Sequence, residues 1–174
     1  MDRLGFIREK LDIKILILFV LRRLPAPVDP ETMLEICQVD GAIDYFDYSD
    51  CISELLESEH MAETEDGFQI TDKGVRNADA VESSLPYSVR SRALKRIAPV
   101  EERMRRQAMI TAKHSQDEKG CMVELAVADD KGEMIRLSLL CSGEEQAKKM
   151  EKNFRRDAES YYQKIVELLS EKLT

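Results

Sequence analysis

Lysine and arginine are absent from Pro25 to Asp72, a stretch that contains fourteen aspartates and glutamates. DNA-binding surfaces hold their ligand largely through Lys and Arg that neutralise phosphates, so this stretch supplies no contacts of that kind. The whole chain is also acidic, with a net charge of −8 over 174 residues. An acidic balance of this size argues against non-specific binding to nucleic acid.

Cysteine and histidine are too few and too scattered for a metal site. None of the four cysteines forms a C-x-x-C pair, and the chain has only two histidines, so we expect neither zinc nor another cofactor. Gly-rich phosphate loops, G-x-S-x-G, H-E-x-x-H and Cys/His dyad spacings are also missing. We therefore expect a protein that is not an enzyme. Cys121 and Cys141 are expected to face each other across a hairpin as reduced, apolar strand residues.

Long hydrophobic runs are absent as well. The run Ile15–Leu21 is bracketed by Lys14 and Arg22, whereas a membrane-spanning helix needs about 18 apolar residues. The run also lacks the cleavage-site pattern of a signal peptide. We expect a cytoplasmic protein without a membrane partner.

The first helix is predicted over Leu11–Leu24, where Pro25 ends it. Its residues are apolar nearly all round, which predicts burial on several sides. In a small domain such a helix often needs a second protomer to cover it. We therefore expect a homodimer built on the first and last helices.

The rest of the N-terminal part alternates capping residues with short apolar periodicities. Asp29-Pro30 opens a second helix and Asp44 caps a third helix over Tyr45–Ser58. A hairpin follows around the turn Glu65-Asp66-Gly67. A fourth helix is then capped by Thr71 or Asp72 and runs to about Ser84.

The second half begins with a basic segment, residues 86–106, predicted as two helices split by Pro99. Its bases are Arg90, Arg92, Lys95, Arg96, Arg103, Arg105 and Arg106. Beyond it the apolar period changes from 3.6 to 2, which predicts three strands joined by tight turns. A capping box, Ser142 with Glu145, then opens a long helix to about Leu173 that packs on the sheet.

The predicted fold class is therefore α+β: a winged helix-turn-helix over residues 1–85, a basic helical linker over 86–106, and a three-stranded antiparallel sheet with a long C-terminal helix over 107–174. A small-molecule pocket between that sheet and the last helix is the alternative to an ordinary core there. Its lining would come from Met150, Phe154, Tyr161 and Tyr162.

The segment Phe68-Gln69-Ile70-Thr71-Asp72-Lys73-Gly74 resembles the wing exit of PadR-like and MarR-like bacterial transcriptional regulators. Many of those proteins have Gly just after the recognition helix, where this chain has Glu59-His60. The whole chain is similar to a family of small bacterial proteins without an established activity. The matching landmarks are Leu11–Lys14, Asp44–Phe46 and Glu144–Ala147. The resemblance implies a transcriptional regulator.

Two functions follow from this sequence. In the first, the third helix enters the major groove of DNA, where base edges are distinguishable, and basic flanking residues hold the phosphates. These flanking residues would be drawn from Arg3, Arg8, Lys10, Lys14, Arg22, Arg23 or the basic cluster of residues 86–106. The residues expected to face DNA are Tyr45, Asp47, Tyr48, Ser49 and Ser53 on the helix and Thr64, Glu65, Asp66 and Gly67 on the wing.

In the second, the acidic winged-helix face is a protein-protein interaction module. Its partner would be a basic protein, or the chain's own 86–106 segment within one chain or across a dimer, since the two charges are complementary. A merely solvated charged surface is the simplest alternative to both functions.

Overall fold

The computed structural model describes residue 7 and residues 9–39, 41, 43–118 and 120–171. The chain divides into two compact units, Met1–Met104 and Arg105–Thr174. The fold class is α+β, and its elements follow the predicted order. Each unit has a hydrophobic core of its own.

The first unit contains three helices, a two-stranded hairpin and a fourth helix, the element order expected of a winged helix-turn-helix. The elements are α1 Lys10–Leu21, α2 Pro30–Cys37, α3 Tyr45–Glu57, β1 Met61–Thr64, β2 Gly67–Ile70 and α4 Asp72–Val81, followed by a 3₁₀ turn, Glu82–Ser84. Strands β1 and β2 pair antiparallel. Val28 adds an isolated bridge to Phe68, with backbone N···O distances of 2.9 and 2.8 Å.

The helix starts follow the capping residues read from the sequence. The Asp29 carboxylate accepts a hydrogen bond from the Thr32 N–H at 2.9 Å, and the Asp44 carboxylate accepts one from the Phe46 N–H at 2.8 Å. Each cap satisfies a backbone donor that the helix itself cannot satisfy. Local sequence therefore fixes where α2 and α3 begin.

The wing exit Thr71-Asp72-Lys73-Gly74 ties the start of α4 to the end of α3. The Thr71 hydroxyl accepts from the Gly74 N–H at 3.1 Å and donates to the Glu59 carbonyl at 2.7 Å. A Cβ on Gly74 would lie 2.0 Å from the His60 carbonyl oxygen. Only glycine fits there, which gives this part of the sequence motif its physical reason.

Helix α1 is the centre of the first unit. Ile13 and every residue from Ile15 to Leu21 are buried, and α1 contacts α2, α3, α4 and β2. The apolar surface that suggested a second protomer at this helix is therefore covered within one chain. The burial removes the physical reason for placing a dimer contact on α1.

Helix α5, Tyr87–Ala108, is continuous through Pro99, so the predicted break there is wrong. Proline removes one backbone donor and crowds the carbonyl four residues earlier. The apolar residues that pack into the core lie at helical spacing on both sides of it: Val89, Ala93, Ile97, Val100 and Met104. Packing along this stripe keeps both halves on one axis.

The second unit is a three-stranded antiparallel sheet followed by two helices, of which the first packs on the sheet and the second is largely exposed. Its strands, in the order β3-β4-β5, are β3 Ile110–Asp117, β4 Gly120–Asp129 and β5 Gly132–Cys141. The helices are α6 Glu144–Arg156 and α7 Ala158–Ser170. Cys121 lies opposite Cys141 in the β4–β5 register, as predicted, and both thiols are free and buried.

Two predictions about the last helix are wrong. The helix is broken at Asp157, whose φ and ψ are −154° and 55°, and whose carboxylate then caps α7 by accepting from the Ser160 N–H. The capping box of Ser142 and Glu145 is not formed. Instead Gly143 is the N-cap of α6, and the Ser142 N–H and hydroxyl both donate to the Gln146 amide oxygen, at 2.7 and 2.9 Å.

The C-terminus of α3 places Glu59 in the left-handed region, with φ 58°. The N–H of His60 donates to the Leu55 carbonyl and that of Glu59 donates to the Leu56 carbonyl, both at 3.0 Å. This pair of hydrogen bonds forms the Schellman motif, in which glycine is the usual residue at the position that Glu59 occupies. The missing glycine noted in the sequence thus corresponds to a strained non-glycine residue.

We predict that Glu59→Gly stabilises the protein by about 0.5–1 kcal/mol, because glycine has no Cβ to crowd the left-handed conformation. Urea unfolding of the two variants Glu59→Gly and Glu59→Ala measures the effect. Both remove the same charge, but Ala keeps the Cβ and should show no such gain. Equal unfolding free energies for the two variants would contradict the strain at this position.

Candidate functional site

The outward surface of α3 begins with two exposed aromatic residues. Phe46 is 76% exposed and Tyr45 is 59% exposed, and their rings meet edge-on with centroids 6.1 Å apart. We call the exposed side chains of α3 and of the β1–β2 turn the head surface: Tyr45, Phe46, Ser49, Asp50, Ser53, Glu54, Glu57, Glu65 and Asp66. Aromatic residues are enriched in protein-protein interfaces relative to the rest of the surface.

Tyr48, predicted among the outward residues, belongs to the inner face and is only 5% exposed. It lies at helical spacing with Cys51, Ile52 and Leu55, which are also buried. Its hydroxyl is buried without a hydrogen-bond partner among the described residues, and burial raises its pKa above the ordinary value of 10.0. The prediction failed because tyrosine is amphipathic, so its spacing rather than its polarity decides the face.

The other predicted residues of α3 are on its solvent side. Tyr45, Ser49 and Ser53 are exposed and Asp47 is half-buried. The Ser53 hydroxyl donates to the Ser49 carbonyl at 3.1 Å, one turn earlier. Phe46, the most exposed large side chain of this helix, was missing from the prediction because a lone Phe next to a cap is ordinarily assigned to the core.

Two lysines of α1 pair with acids of the head surface. The Lys10 ammonium lies 2.6 Å from the Asp50 carboxylate and 3.6 Å from that of Asp47, and Lys14 pairs with Glu54. The hydrogen bond to Asp50 raises the pKa of Lys10. Such surface pairs contribute under about 1 kcal/mol each, but they neutralise part of the acidic face from within the chain.

The arginines at the end of α1 are engaged in the same way. Arg22 lies 2.6 Å from the Asp79 carboxylate, and Arg23 lies 3.1 Å from that of Glu82 with its guanidinium 3.5 Å from the centroid of the Phe19 ring. Four of the bases expected to hold phosphates are therefore already paired with acids. Arg3 and Arg8 lie outside the described residues.

The wing carries the remaining acids of the head surface. The Thr64 hydroxyl donates to the Gly67 carbonyl at 2.9 Å and accepts from the Asp66 N–H at 3.3 Å, which fixes the turn. Gly67 has φ 122°, and a Cβ there would lie 2.2 Å from the Val28 carbonyl oxygen. The turn thus holds Glu65 and Asp66 in solvent. Among the described residues no ion pair neutralises these two carboxylates.

The predicted basic patch is not one cluster. Helical spacing separates Arg90 and Arg105 from the other five residues. Those five lie along one stripe of α5: Arg92, Lys95, Arg96, Arg103 and Arg106. Arg96 donates a hydrogen bond to the Glu35 carbonyl at 2.5 Å. Hydrogen bonds from Thr32 are the main cause that lowers the pKa of Asp29, and the charge of Arg103 lowers it further. Part of this stripe therefore already meets the acidic stretch within the first unit.

The sheet and α6 meet in an ordinary core, and not in the small-molecule pocket that was its alternative. Phe154 is buried and Met150 packs at the edge of the same core, while the Tyr161 ring lies 6.0 Å from that of Phe154. A groove of about 830 Å³ lies elsewhere, in the first unit, between α1, the end of α3 and α4. Leu11, Ile15, Leu55 and Val81 give it an apolar floor, and His60 and Asn77 lie at its edge.

Ser58, His60 and Asn77 form a hydrogen-bonded chain at that edge. The Ser58 hydroxyl donates to the Glu54 carbonyl at 2.6 Å, so its oxygen accepts from Nδ1–H of His60 at 2.8 Å. Nε2 of His60 then accepts from the Asn77 amide at 2.9 Å. With its proton on Nδ1, His60 cannot act as a base toward Ser58. These hydrogen bonds link the end of α3 to α4, and they do not activate Ser58 as a nucleophile.

The described residues offer neither a candidate metal site nor a membrane-spanning helix. Within it, no group of three or more His, Cys, Asp and Glu side chains is placed to hold a metal ion. Likewise, none of the helices described is both long and apolar enough to cross a membrane.

An α+β chain with a winged-helix element order, an acidic head surface and a separate sheet-and-helix unit is the class of protein that this fold defines. Residues 13–169 match a family model described as "Domain of unknown function (DUF4364)". The match covers most of the chain and spans both units, so the protein belongs to this family. Neither a curated protein nor a solved structure matches it significantly.

The lowered pKa of His60 makes the free energy of unfolding depend on pH. Burial, followed by the charges of Lys73 and Lys14, lowers the pKa of His60 below its ordinary 6.5. The unfolded chain therefore binds a proton at His60 more readily than the folded chain does. This contribution to stability is complete above pH 6.5 and is lost as the pH falls through the lowered pKa.

We predict that His60 makes the unfolding free energy smaller at pH 5.5 than at pH 8, roughly one unit below and one and a half units above the ordinary histidine pKa. Urea unfolding of the wild type and of His60→Gln at both pH values isolates this contribution, because Gln keeps hydrogen-bonding groups but does not titrate. The same pH difference in both proteins would show that His60 is not responsible.

Proposed function

We propose that the protein is a protein-protein interaction module that binds a basic partner through its head surface. The observation that supports this most directly is the exposure of Phe46, 76%, beside Tyr45 on a surface whose charged residues are acidic. A phenylalanine there has no phosphate to contact, whereas a partner protein could cover it.

The arrangement matches the anatomy of protein interfaces. Their binding energy concentrates in a few aromatic or arginine anchors, surrounded by a polar rim. Phe46 and Tyr45 would be the anchors, and Asp50, Glu57 and Glu65 would belong to an acidic rim. Charge complementarity to a basic partner raises the association rate and selects against acidic surfaces.

Removing the anchor tests the proposal. We predict that Phe46→Ala weakens binding of a fluorescent peptide of alternating Arg and Leu about tenfold, since truncating a hot-spot side chain costs about 1–2 kcal/mol or more. Fluorescence anisotropy measures the affinity. Because Phe46 is mostly exposed, the fold should be unaffected.

The matched control is Tyr87→Ala. Tyr87 is 79% exposed at the start of α5, so it is an equally accessible aromatic residue outside the head surface, and its removal should leave the affinity unchanged. Equal losses in the two variants would indicate non-specific adsorption. If the wild type does not bind the peptide, recognition of basic segments through the head surface is ruled out.

Transcriptional regulation by DNA binding is the second candidate. It is favoured by the winged-helix element order and by the stripe of bases on α5, of which Lys95, Arg96 and Arg103 are exposed. In this case the basic residues of the stripe hold the phosphates, and α3 approaches the nucleobases of the DNA with Tyr45, Ser49 and Ser53. The acids of the head surface would oppose that approach.

If this second function holds, random-sequence duplex DNA should bind at about 50 mM salt and dissociate steeply as salt rises. The double variant Lys95→Ala/Arg103→Ala should weaken binding across sequences and reduce the salt slope. Lys149→Ala/Lys152→Ala removes two exposed bases of α6 and serves as the control for net charge. The absence of binding at low salt would exclude DNA recognition of this kind.

A further inference from the structure

Strand β5 forms one edge of the sheet in the second unit. It is ten residues long, Gly132–Cys141, and pairs with β4 on one side. On its other side no described strand pairs with it. The backbone N–H and C=O groups on that side are therefore available to a further strand.

The two edges of this sheet differ in protection. The opposite edge, β3, carries the polar run Lys113-His114-Ser115-Gln116, and a lysine on an edge discourages pairing. On β5 the segment Leu137-Ser138-Leu139-Leu140-Cys141 has no charge at all. The charged residues of β5, Glu133 and Arg136, precede this segment. The apolar half of this edge therefore lacks such protection and is suited to pairing with another strand.

The apolar side chains of this edge are also left uncovered. Helix α6 lies mainly on β3 and β4, so Val123 on β4 is fully buried while Leu139, directly opposite it on β5, is 39% exposed. On the other face of the sheet Leu140 is 65% exposed. The core of this unit includes Cys141 and packs against Leu137 on β5, but it leaves Leu139 and Leu140 partly uncovered.

We propose that a second copy of this chain covers this edge by pairing its own β5 antiparallel, about a two-fold axis at Leu137. A two-fold contact sets each residue against a fixed residue of its twin. On the helix-covered face Leu137 meets Leu137 of the second copy, and Ile135 meets Leu139 of the second copy. On the other face Arg136 meets Ser138 of the second copy. Met134 lies at the β-bulge of β5, so this regular pairing ends before it.

This register sets apolar residues against apolar ones and leaves no like charges opposite each other. An axis at Arg136 would place two arginines face to face, which is destabilising. An axis at Ser138 would place Arg136 against the apolar Leu140 of the second copy. A strand pair alone buries less than the 1,200–2,000 Å² of roughly standard interfaces, so the dimer should dissociate reversibly in the micromolar range.

Two variants of one exposed residue test the interface with opposite charges. Ser138→Lys would face Arg136 of the second copy twice by symmetry, and Ser138→Glu would form two attractive pairs there. Cross-strand charge pairs contribute about 0.2–1 kcal/mol each, and Arg136 also pairs with Glu133 of its own chain at 2.6 Å. The dissociation constants of the two variants should therefore differ roughly fourfold or more. Sedimentation of the full-length protein from about 1 µM to 1 mM covers this range.

The stability of the single chain should change in the opposite direction to the stability of the dimer. Ser138 lies opposite Glu124 on β4, so Lys at this position gains an attractive partner within the chain while it weakens the dimer. A thermal unfolding midpoint for Ser138→Lys at or above that of Ser138→Glu, at a concentration where both are monomeric, would exclude misfolding as the cause of its dissociation.

Leu169→Lys provides the contrasting control, because Leu169 is a highly exposed apolar residue of α7. We expect this variant to dimerise as the wild type does. The proposal is overturned if the wild type remains monomeric throughout, if the two Ser138 variants dissociate alike, or if Leu169→Lys alone breaks the dimer. The first result leaves the function of the head surface untouched, since neither Phe46 nor the acids take part in this contact.

Discussion

The burial of α1 is the constraint on which the first unit depends. A helix that is apolar on all sides must be surrounded, and α2, α3, α4 and β2 all pack against it. That packing determines which side of α3 faces the core, and hence which side faces solvent. The exposed aromatic pair and the acids of the head surface are the consequence of this placement. The proposed function therefore rests on the most hydrophobic helix of the chain, although α1 itself supplies none of the anchors.

Electrostatics then divides the bases of the chain into distinct groups. Those of α1 are engaged with nearby acids, while part of the α5 stripe remains in solvent. Counting charges along the sequence shows only that an acidic stretch lies between basic ones. The distances show that Lys10 and Lys14 are committed to α3, which reduces the supply of phosphate contacts. For this reason the balance between the two candidate functions moves toward binding a basic protein.

Sequence reasoning succeeded where structure is decided by near neighbours. The caps Asp29, Asp44 and Thr71 and the Cys121–Cys141 register follow from local patterns, and each is present in the fold. It failed where distant packing competes with local preference. Pro99 does not break α5 because the core continues on both sides of it, and Asp157 interrupts a periodicity that looked continuous.

The head surface was similarly predictable only in part. The exposed positions Tyr45, Ser49 and Ser53 follow from helical spacing. The burial of Tyr48 follows from the same spacing, which it shares with Cys51 and Leu55, and only its polarity pointed outward. The exposure of Phe46 depends on where the core ends, which the polarity of the residue does not encode. The open edge of β5 could not be foreseen for the same reason, since it depends on which strands α6 covers.

The lysine pairs between α1 and α3 have a further consequence for recognition. Any basic partner that reaches Asp50 or Glu54 must compete with ammonium groups that are already in place and tethered to the same domain. Because each of these surface pairs contributes under about 1 kcal/mol, a partner that presents several arginines in fixed geometry could displace both lysines. If the proposed function holds, the two lysines would thus be weak intramolecular competitors that lower the affinity for a partner with few basic groups.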